Sequence, residues 1–269
     1  MASGKTGQCR MRDPSMRGLI LAAGRGSRMA GETDAKPKCL VPLQGQPLLQ
    51  WQISSLRAAG VQKIGIVTGY RREMLAQEEL TEFHNPRWAE TQMVFSLICA
   101  SSWLESGPCV VSYSDIFYEP SAVTSLSESK AAIAITYSTG WLELWKKRFG
   151  DPLADAETFR LNADSTLAEI GKKPKTTDEI QGQYMGLLRF LPEGWLEIRR
   201  VVNRLSALEI DRLQMTTVLQ MIIKEKNCPI EGIPFCGKWG EVDRLKDLII
   251  YEEEEAKPGA LGKKSSRIG

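Results

Sequence analysis

The sequence predicts an α/β protein built on a mostly parallel mixed sheet flanked by helices. Two observations predict it. Short apolar runs end in glycine or aspartate, and amphipathic stretches of helical spacing alternate with them. The first run, residues 17–23, is stopped by Gly24 and reads as a buried strand. Residues 46–59 place Leu48, Leu49, Trp51, Ile53, Leu56 and Ala59 mainly at helical spacing, with Gly60 as the stop. "KIGIVTGY" reads as the second strand, "FSLICASSWL" as a helix, "CVVSYSDIFY" as a single third strand and "AAIAITY" as the fourth. From about residue 141 the alternation weakens, and 141–190 is expected to be a small inserted lobe of short strands, turns and basic residues. Helices over 192–205 and 211–226 follow, then a strand in "PIEGIPF" and a turn with a closing helix in "KWGEVDRLKDLIIYE". The domain is thus expected over 16–250. A polar leader is expected at 1–15, and a tail at 251–269 reads as disordered by composition.

The balance of charge narrows the function. A formal net charge of +2 leaves no global field for nucleic acid, so any affinity for anions must come from local placement of basic residues. Cys9, Cys39, Cys99, Cys109, Cys228 and Cys236 contain no C-x-x-C pair, which points to reduced thiols in a cytoplasmic protein rather than a disulfide framework or zinc site. No stretch approaches the roughly 18 apolar residues of a membrane span. His84 is the only histidine, and with no serine or cysteine nucleophile motif beside it a packing or surface role is expected. A homodimer is compatible with the chain.

Parallel sheets bind ligands at the carboxyl ends of their strands. Three features stand there: the turn Gly24-Arg25-Gly26-Ser27-Arg28-Met29, then Gly69-Tyr70, then Asp115. The turn is not a Walker loop, because Lys36 and Lys38 come well after its last glycine. Nor is it a dinucleotide fingerprint, which needs a small residue where Met29 stands and an acidic residue after "IVTGY". Its physical content remains: glycines let backbone amides turn toward an anion, and Arg25, Arg28, Lys36 and Lys38 supply charge.

In combination, "LAAGRGSRM", "KPKCLVPLQGQPLLQW" and an aspartate after a buried strand closely resemble the nucleotidyltransferases of the sugar-phosphate and phosphocholine type. The resemblance covers about 16–250. It implies a Rossmann-like nucleotidyltransferase fold with a small acceptor-binding lobe, in which an acceptor phosphate attacks the α-phosphorus of a nucleoside triphosphate and pyrophosphate leaves. It places Leu21, Ala22, Ala23, Gly24, Arg25, Gly26, Ser27, Gly69 and Ser114 around the nucleotide, Arg28 on the pyrophosphate and Lys38 on the α-phosphate. The implied cofactor is Mg2+, held by Asp115 and by Glu241 and Asp243 of "WGEVD", with Asp243 preferred. Alternate strand residues share a face, so both of the latter carboxylates could point at one cation.

The region 85–100, "NPRWAETQMVFSLICA", resembles cytidylyltransferases for small phosphorylated or phosphonylated acceptors, and assigns Gln92 and Ser96 to the nucleotide. The partners implied are CTP and a small phosphonate or phosphate. By the same resemblance the acceptor is expected at Lys173 of "EIGKKP", with Lys172 as the alternative, and at Arg148, Arg160, Gln183 and Tyr184. Asp155 and Glu157 are candidates for an amine or hydroxyl on the acceptor. Trp141 and Trp145, four apart, fit helix packing better than an aromatic cage for a quaternary ammonium. Two alternatives stay open: a sugar-1-phosphate nucleotidyltransferase using another base, and a nucleotide-binding regulator without turnover.

Overall fold

The computed structural model describes residues 15–29, 31, 33–77 and 79–256, so all but the last residue of the expected leader, and the tail beyond 256, lie outside the described residues. Chain order runs β1 (Arg17–Ala22), β2 (Pro42–Leu43), β3 (Gln46–Pro47), α1 (Leu48–Ala58), β4 (Lys63–Thr68) and β5 (Leu80–His84). It continues through α2 (Met93–Cys99), α3 (Ser101–Glu105), β6 (Cys109–Tyr113), β7 (Ile116–Tyr118), α4 (Pro120–Glu128), β8 (Ile133–Ser138) and α5 (Trp141–Phe149). Then come β9 (Phe159–Leu161), β10 (Leu167–Ile170), β11 (Gln183–Phe190), α6 (Pro192–Val202), α7 (Ala207–Asp211) and α8 (Met215–Glu225). The chain closes with β12 (Ile230–Phe235), β13 (Trp239–Glu241) and α9 (Leu245–Ala256).

Seven strands form the central sheet in the order β12-β8-β11-β6-β1-β4-β5. All are mutually parallel except β11, which runs antiparallel to both β6 and β8. Alternate residues of β1 face opposite ways, as a pleated strand requires. Leu19 and Leu21 join the cluster that α2, α6 and α8 cover with Leu97, Ile198 and Val218. Ile20 and Ala22 join the cluster that α1 and α4 cover with Ile53, Leu56, Val123 and Leu126. A third, smaller cluster of Met29, Val41, Leu43, Phe117, Val242 and Tyr251 packs below the loop from Gly24 to Lys38.

Four expectations are corrected. The third strand is not continuous over 109–118: the chain turns at Ser114-Asp115, and β7 leaves the sheet to pair antiparallel with β13. Buried polar groups of α1 hold that turn. Gln52 Nε2 donates to the carbonyls of Tyr113 (2.9 Å) and Ile116 (2.6 Å), and Ser55 Oγ donates to that of Tyr118 (2.6 Å). Residues 183–190, expected in the inserted lobe, run through the middle of the sheet as β11; seven of these eight residues are buried, as in a strand covered on both faces. The lobe therefore consists of α5, the β9–β10 hairpin and their loops. The expected helix over 211–226 starts later, at Met215, because a separate short helix, opened by a capping box from Ser206 and Glu209, ends at Asp211. Finally, α9 runs past 250 to Ala256, because Tyr251 is buried against Phe117 (ring centroids 4.9 Å apart) and draws the helix onward.

Candidate active site

At the carboxyl end of β1 the chain enters the glycine turn. Gly26 lies at φ +77°, in the left-handed region, and a Cβ there would come 2.7 Å from Lys38 Cβ and 2.8 Å from its Cδ. The bare Cα is thus what lets the Lys38 stem lie across the turn. Gly26→Ala is expected to push Lys38 aside and lower turnover by up to about 100-fold, the scale of a misplaced reacting group. Steady-state kinetics beside a thermal melt check it.

Lys38 follows Pro37, opens a single helical turn over Lys38–Leu40, and is 6% exposed. Its Nζ donates to Asp115 Oδ2 (2.9 Å) and Asp243 Oδ1 (2.7 Å). Burial pulls the Lys38 pKa down, but the charges of Asp115, Asp243 and Glu241 outweigh it and hold the ammonium protonated. Arg28 Nη2 reaches the same Asp243 oxygen at 2.8 Å from a largely exposed position. Burial pushes the Asp243 carboxyl up, and Lys38 and Arg28 more than reverse that. Glu241 lacks so close a front-side cation, and burial with the neighbouring Asp243 charge pushes its pKa up to about 8.

One carboxylate oxygen each from Asp115, Glu241 and Asp243 lies within 4.8 Å of the others. Asp115 Oδ1 is buried and has no hydrogen-bond partner. Such an orphaned carboxylate oxygen, beside a glutamate held short of full ionisation, fits a divalent cation. The all-oxygen donor set suits a hard one. The turn after β6 supplies Asp115, and β13 with the residues after it supplies the others. Val242 N donates to Asp115 O (2.8 Å), which ties the two segments by backbone alone.

Two adjoining cavities flank this cluster, and Arg28, Met93 and Tyr113 line both. The first, about 290 Å³, is walled by Leu21, Ala23, Gly24, Gly26, Ser27, Lys38, Gln92, Ser96, Ser114 and Asp115 among the residues expected around a nucleotide. Trp88 and Thr91 also line it, and neither was singled out from the sequence. The signal was their position after the short edge strand β5. Buried Asn85 organises this wall by donating from Nδ2 to Thr91 Oγ1 and Ser96 Oγ, both at 3.0 Å. Three expected residues are elsewhere. The Ala22 side chain faces the opposite cluster. Arg25 pairs with Asp34 at 2.6 Å on the surface. Gly69 is required for packing, since a Cβ there would come 2.5 Å from Trp88 Cβ and 2.6 Å from Ala23 O.

The second cavity, about 230 Å³, lies between the sheet and the lobe. Asp155, Gln183 and Tyr184 line it, as expected of acceptor contacts, together with Glu157, Glu241, Tyr113, Trp145, Trp239 and Thr216. Among the described residues lining it, Arg28 is the one cation. Burial, with Asp155 beside it, pushes the Glu157 pKa up. Trp145 packs against Trp141 in the helix but also stacks on Trp239, with centroids 6.1 Å apart and planes 13° apart. The remaining acceptor candidates lie outside. Arg160 points to solvent because its neighbour Phe159 takes the core side of β9. Lys173 Nζ is turned onto the carbonyls of Leu153 and Ala154 (3.1 Å for the latter). Arg148 is buried behind the carboxylate cluster, paired with Glu241 (3.0 Å), Asp243 (3.4 Å) and Asp247 (3.0 Å).

An anion-binding turn on one side of a carboxylate cluster and a second small cavity on the other is what transfer of a nucleotidyl group requires, and this is a nucleotidyltransferase. The chain belongs to the MobA-like NTP transferase domain family, whose pattern matches residues 18–174. It is 31% identical over 255 residues to a CTP:phosphoglutamine cytidylyltransferase of Campylobacter jejuni, a match spanning 89% of this chain and 100% of that one. It is 32% identical over 103 residues, 36% of this chain and 42% of the other, to a 2-aminoethylphosphonate cytidylyltransferase of Lancefieldella rimae. The fold is shared with the inositol-1-phosphate CTP transferase of T. maritima, at a TM-score of 0.71 and 20% identity over 94% of this chain and 100% of that one. Among the described residues, no helix is long and apolar enough to cross a membrane.

Proposed function

We propose that the chain transfers CMP from CTP to a small phosphonate or phosphate that carries an ammonium group, with Mg2+ as the cofactor. The observation that carries this reading is the second cavity: Asp155 and Glu157 face a volume of about 230 Å³ walled by Trp145, Trp239, Tyr113 and Tyr184. Half-buried carboxylates among aromatic rings favour a cation, and an incoming ammonium would return Glu157 toward its charged form. The names of the Campylobacter and Lancefieldella relatives both specify cytidylyl transfer, and that of the Lancefieldella protein specifies an amino group.

The transfer needs no protein nucleophile. An anionic oxygen of the acceptor forms a bond to the α-phosphorus of CTP as the bond from that phosphorus to the bridging β-phosphate oxygen breaks, and pyrophosphate leaves with the electron pair. Lys38 neutralises the α-phosphate, and Arg28, at the junction of the two cavities, stabilises the leaving pyrophosphate. Asp115, Glu241 and Asp243 would hold the magnesium, which when bound supplies further neutralisation of phosphate charge. Ser96 Oγ accepts from Asn85 and can turn its own hydrogen to the cytosine, with Gln92 beside it.

Acidic side chains also accept from sugar hydroxyls, so the experiment sets the two acceptor classes side by side. Pyrophosphate release is measured for CTP, UTP, dTTP, ATP and GTP with 2-aminoethylphosphonate, phosphocholine, 2-hydroxyethylphosphonate, inositol 1-phosphate and glucose 1-phosphate. Turnover is expected with CTP and the ammonium-bearing acceptors. Turnover confined to a sugar phosphate overturns the proposal, and CTP binding without any pyrophosphate release makes the chain a regulator.

A further inference from the structure

Arg148 lies on α5 of the lobe, in a run, "WKKRF", that reads as a solvated helix face. Its guanidinium is instead wholly enclosed, with side-chain exposure of 0%, between the rings of Trp145 (5.1 Å) and Phe149 (4.8 Å). All three nitrogens of the planar fork donate. Nε donates to Asp247 Oδ1 (3.0 Å), Nη2 to Asp247 Oδ2 (3.2 Å) and Asp243 Oδ2 (3.4 Å), and Nη1 to Glu241 Oε2 (3.0 Å). Asp247 Oδ2 in turn accepts from the backbone N–H groups of Asp243 (2.8 Å) and Arg244 (2.9 Å), so the turn that carries Asp243 rests on the same carboxylate.

We propose that Arg148 is the positioning residue of the cation site: it takes one oxygen from Glu241 and one from Asp243 and so fixes which oxygen each presents to a divalent cation. Asp243 shows the division. Its Oδ2 goes back to Arg148 while Oδ1 meets Lys38 and Arg28 at the front. With Oε2 of Glu241 also taken from behind, Oε1 is left to the cation. Arg148 is, moreover, the cation that stays. Lys38 and Arg28 lean on the carboxylates from the cleft and are needed by the nucleotide phosphates, whereas Arg148, in its enclosed seat, keeps neutralising the cluster after they have moved. The same helix presents Trp145 to the acceptor cavity, so one element sets both the cavity wall and the ligand oxygens.

The inference rests on the cation reading above, and binding of Mn2+, followed by electron paramagnetic resonance with CTP present, separates the two. Arg148→Lys keeps the charge and loses the fork. Asp247→Asn loosens the fork but leaves the side chains of Asp115, Glu241 and Asp243 unchanged, and its amide oxygen can still accept from the backbone N–H groups of Asp243 and Arg244. Each is expected to weaken Mn2+ binding about 10- to 100-fold, the usual effect of losing a ligand's supporting partner, while the acceptor KM stays within about twofold. Guanidinium ion added to Arg148→Ala is expected to restore part of the affinity. Arg148→Lys with wild-type Mn2+ affinity overturns the proposal, as does a raised acceptor KM at unchanged Mn2+ affinity, which would return Arg148 to the acceptor. Should Arg148→Ala fail to fold, the other two variants decide. Wild-type protein that binds no Mn2+ overturns the cation reading itself.

Discussion

Replacing Lys38 with methionine is expected to lower turnover about 100- to 1000-fold, the range found when one preorganised donor to a developing charge is removed. Methionine keeps the length of the stem and fills the space beside Gly26, so the substitution isolates the charge. In the free enzyme Lys38 neutralises Asp115 and Asp243 at 2.9 and 2.7 Å. In the proposed reaction it exchanges those partners for the α-phosphate, where charge builds as the new bond forms. The loss should therefore fall on kcat rather than on the KM for nucleotide, because the interaction strengthens toward the transition state. Stability should change less than activity. A lone buried charge left by its partner costs about 3–5 kcal/mol, but Asp243 keeps Arg28 and Arg148 after the substitution, and Asp115, which loses Lys38, is 21% exposed to water. Lys38→Arg should not rescue, because a guanidinium is broader than the ammonium and the stem already lies against the Gly26 Cα. Single-turnover rates with a melting curve test this; a kcat within threefold of wild type would show that Lys38 only fills the gap beneath the cluster.

The residues most legible in the sequence sit where a strand ends. Gly24, Gly26, Lys38 and Asp115 occupy short local patterns at the carboxyl ends of β1 and β6, and the alternation of elements was enough to bring those ends together. Asp243 was legible because "GEVD" resembles the family's E-x-D near the C-terminal end, although β13 stops at Glu241 and Asp243 lies just beyond it rather than on the strand. Arg148 was not, because its burial comes from partners 93 to 99 residues away, and no local periodicity distinguishes an arginine facing solvent from one facing a carboxylate. The same limit applies to β11. The weakened alternation from residue 141 suggested a lobe there, yet in β11 Gln183 Nε2 donates to Glu157 O (2.7 Å), and Arg189 donates to the carbonyl of Ala131, so the strand can be central. Lys173 and Arg160 lie in a lobe whose loops are fixed by short-range turns, and spacing alone said nothing of their direction.

Asp115→Ala is expected to abolish metal-dependent turnover, to below about a thousandth of wild type, while leaving the fold and its melting temperature intact. The geometry sets these two effects apart. The Asp115 side chain supplies the orphaned Oδ1 and one contact to Lys38, whereas the turn that carries it is held by backbone and by α1: Val242 N to Asp115 O, and Gln52 to the carbonyls on either side. Removing the carboxylate also relieves crowding. Four carboxyl groups, Asp115, Glu241, Asp243 and Asp247, crowd around three cations in Lys38, Arg28 and Arg148, and the Asp115 charge helps hold Glu241 short of ionisation, so the alanine variant sheds one of the crowded charges and should melt no lower than wild type. A site that is less stable than its inactive variant is expected where like charges are held together for a ligand that completes them. The same charge count fixes the response of the native protein. Mg2+ should raise its melting temperature in the presence of CTP, chelation with EDTA should reverse the shift, and Asp115→Ala should show neither. Retained turnover in Asp115→Ala at saturating Mg2+ would remove Asp115 from the cation site. A melting temperature that falls sharply in the variant would mean instead that Asp115 is held for its pairing with Lys38.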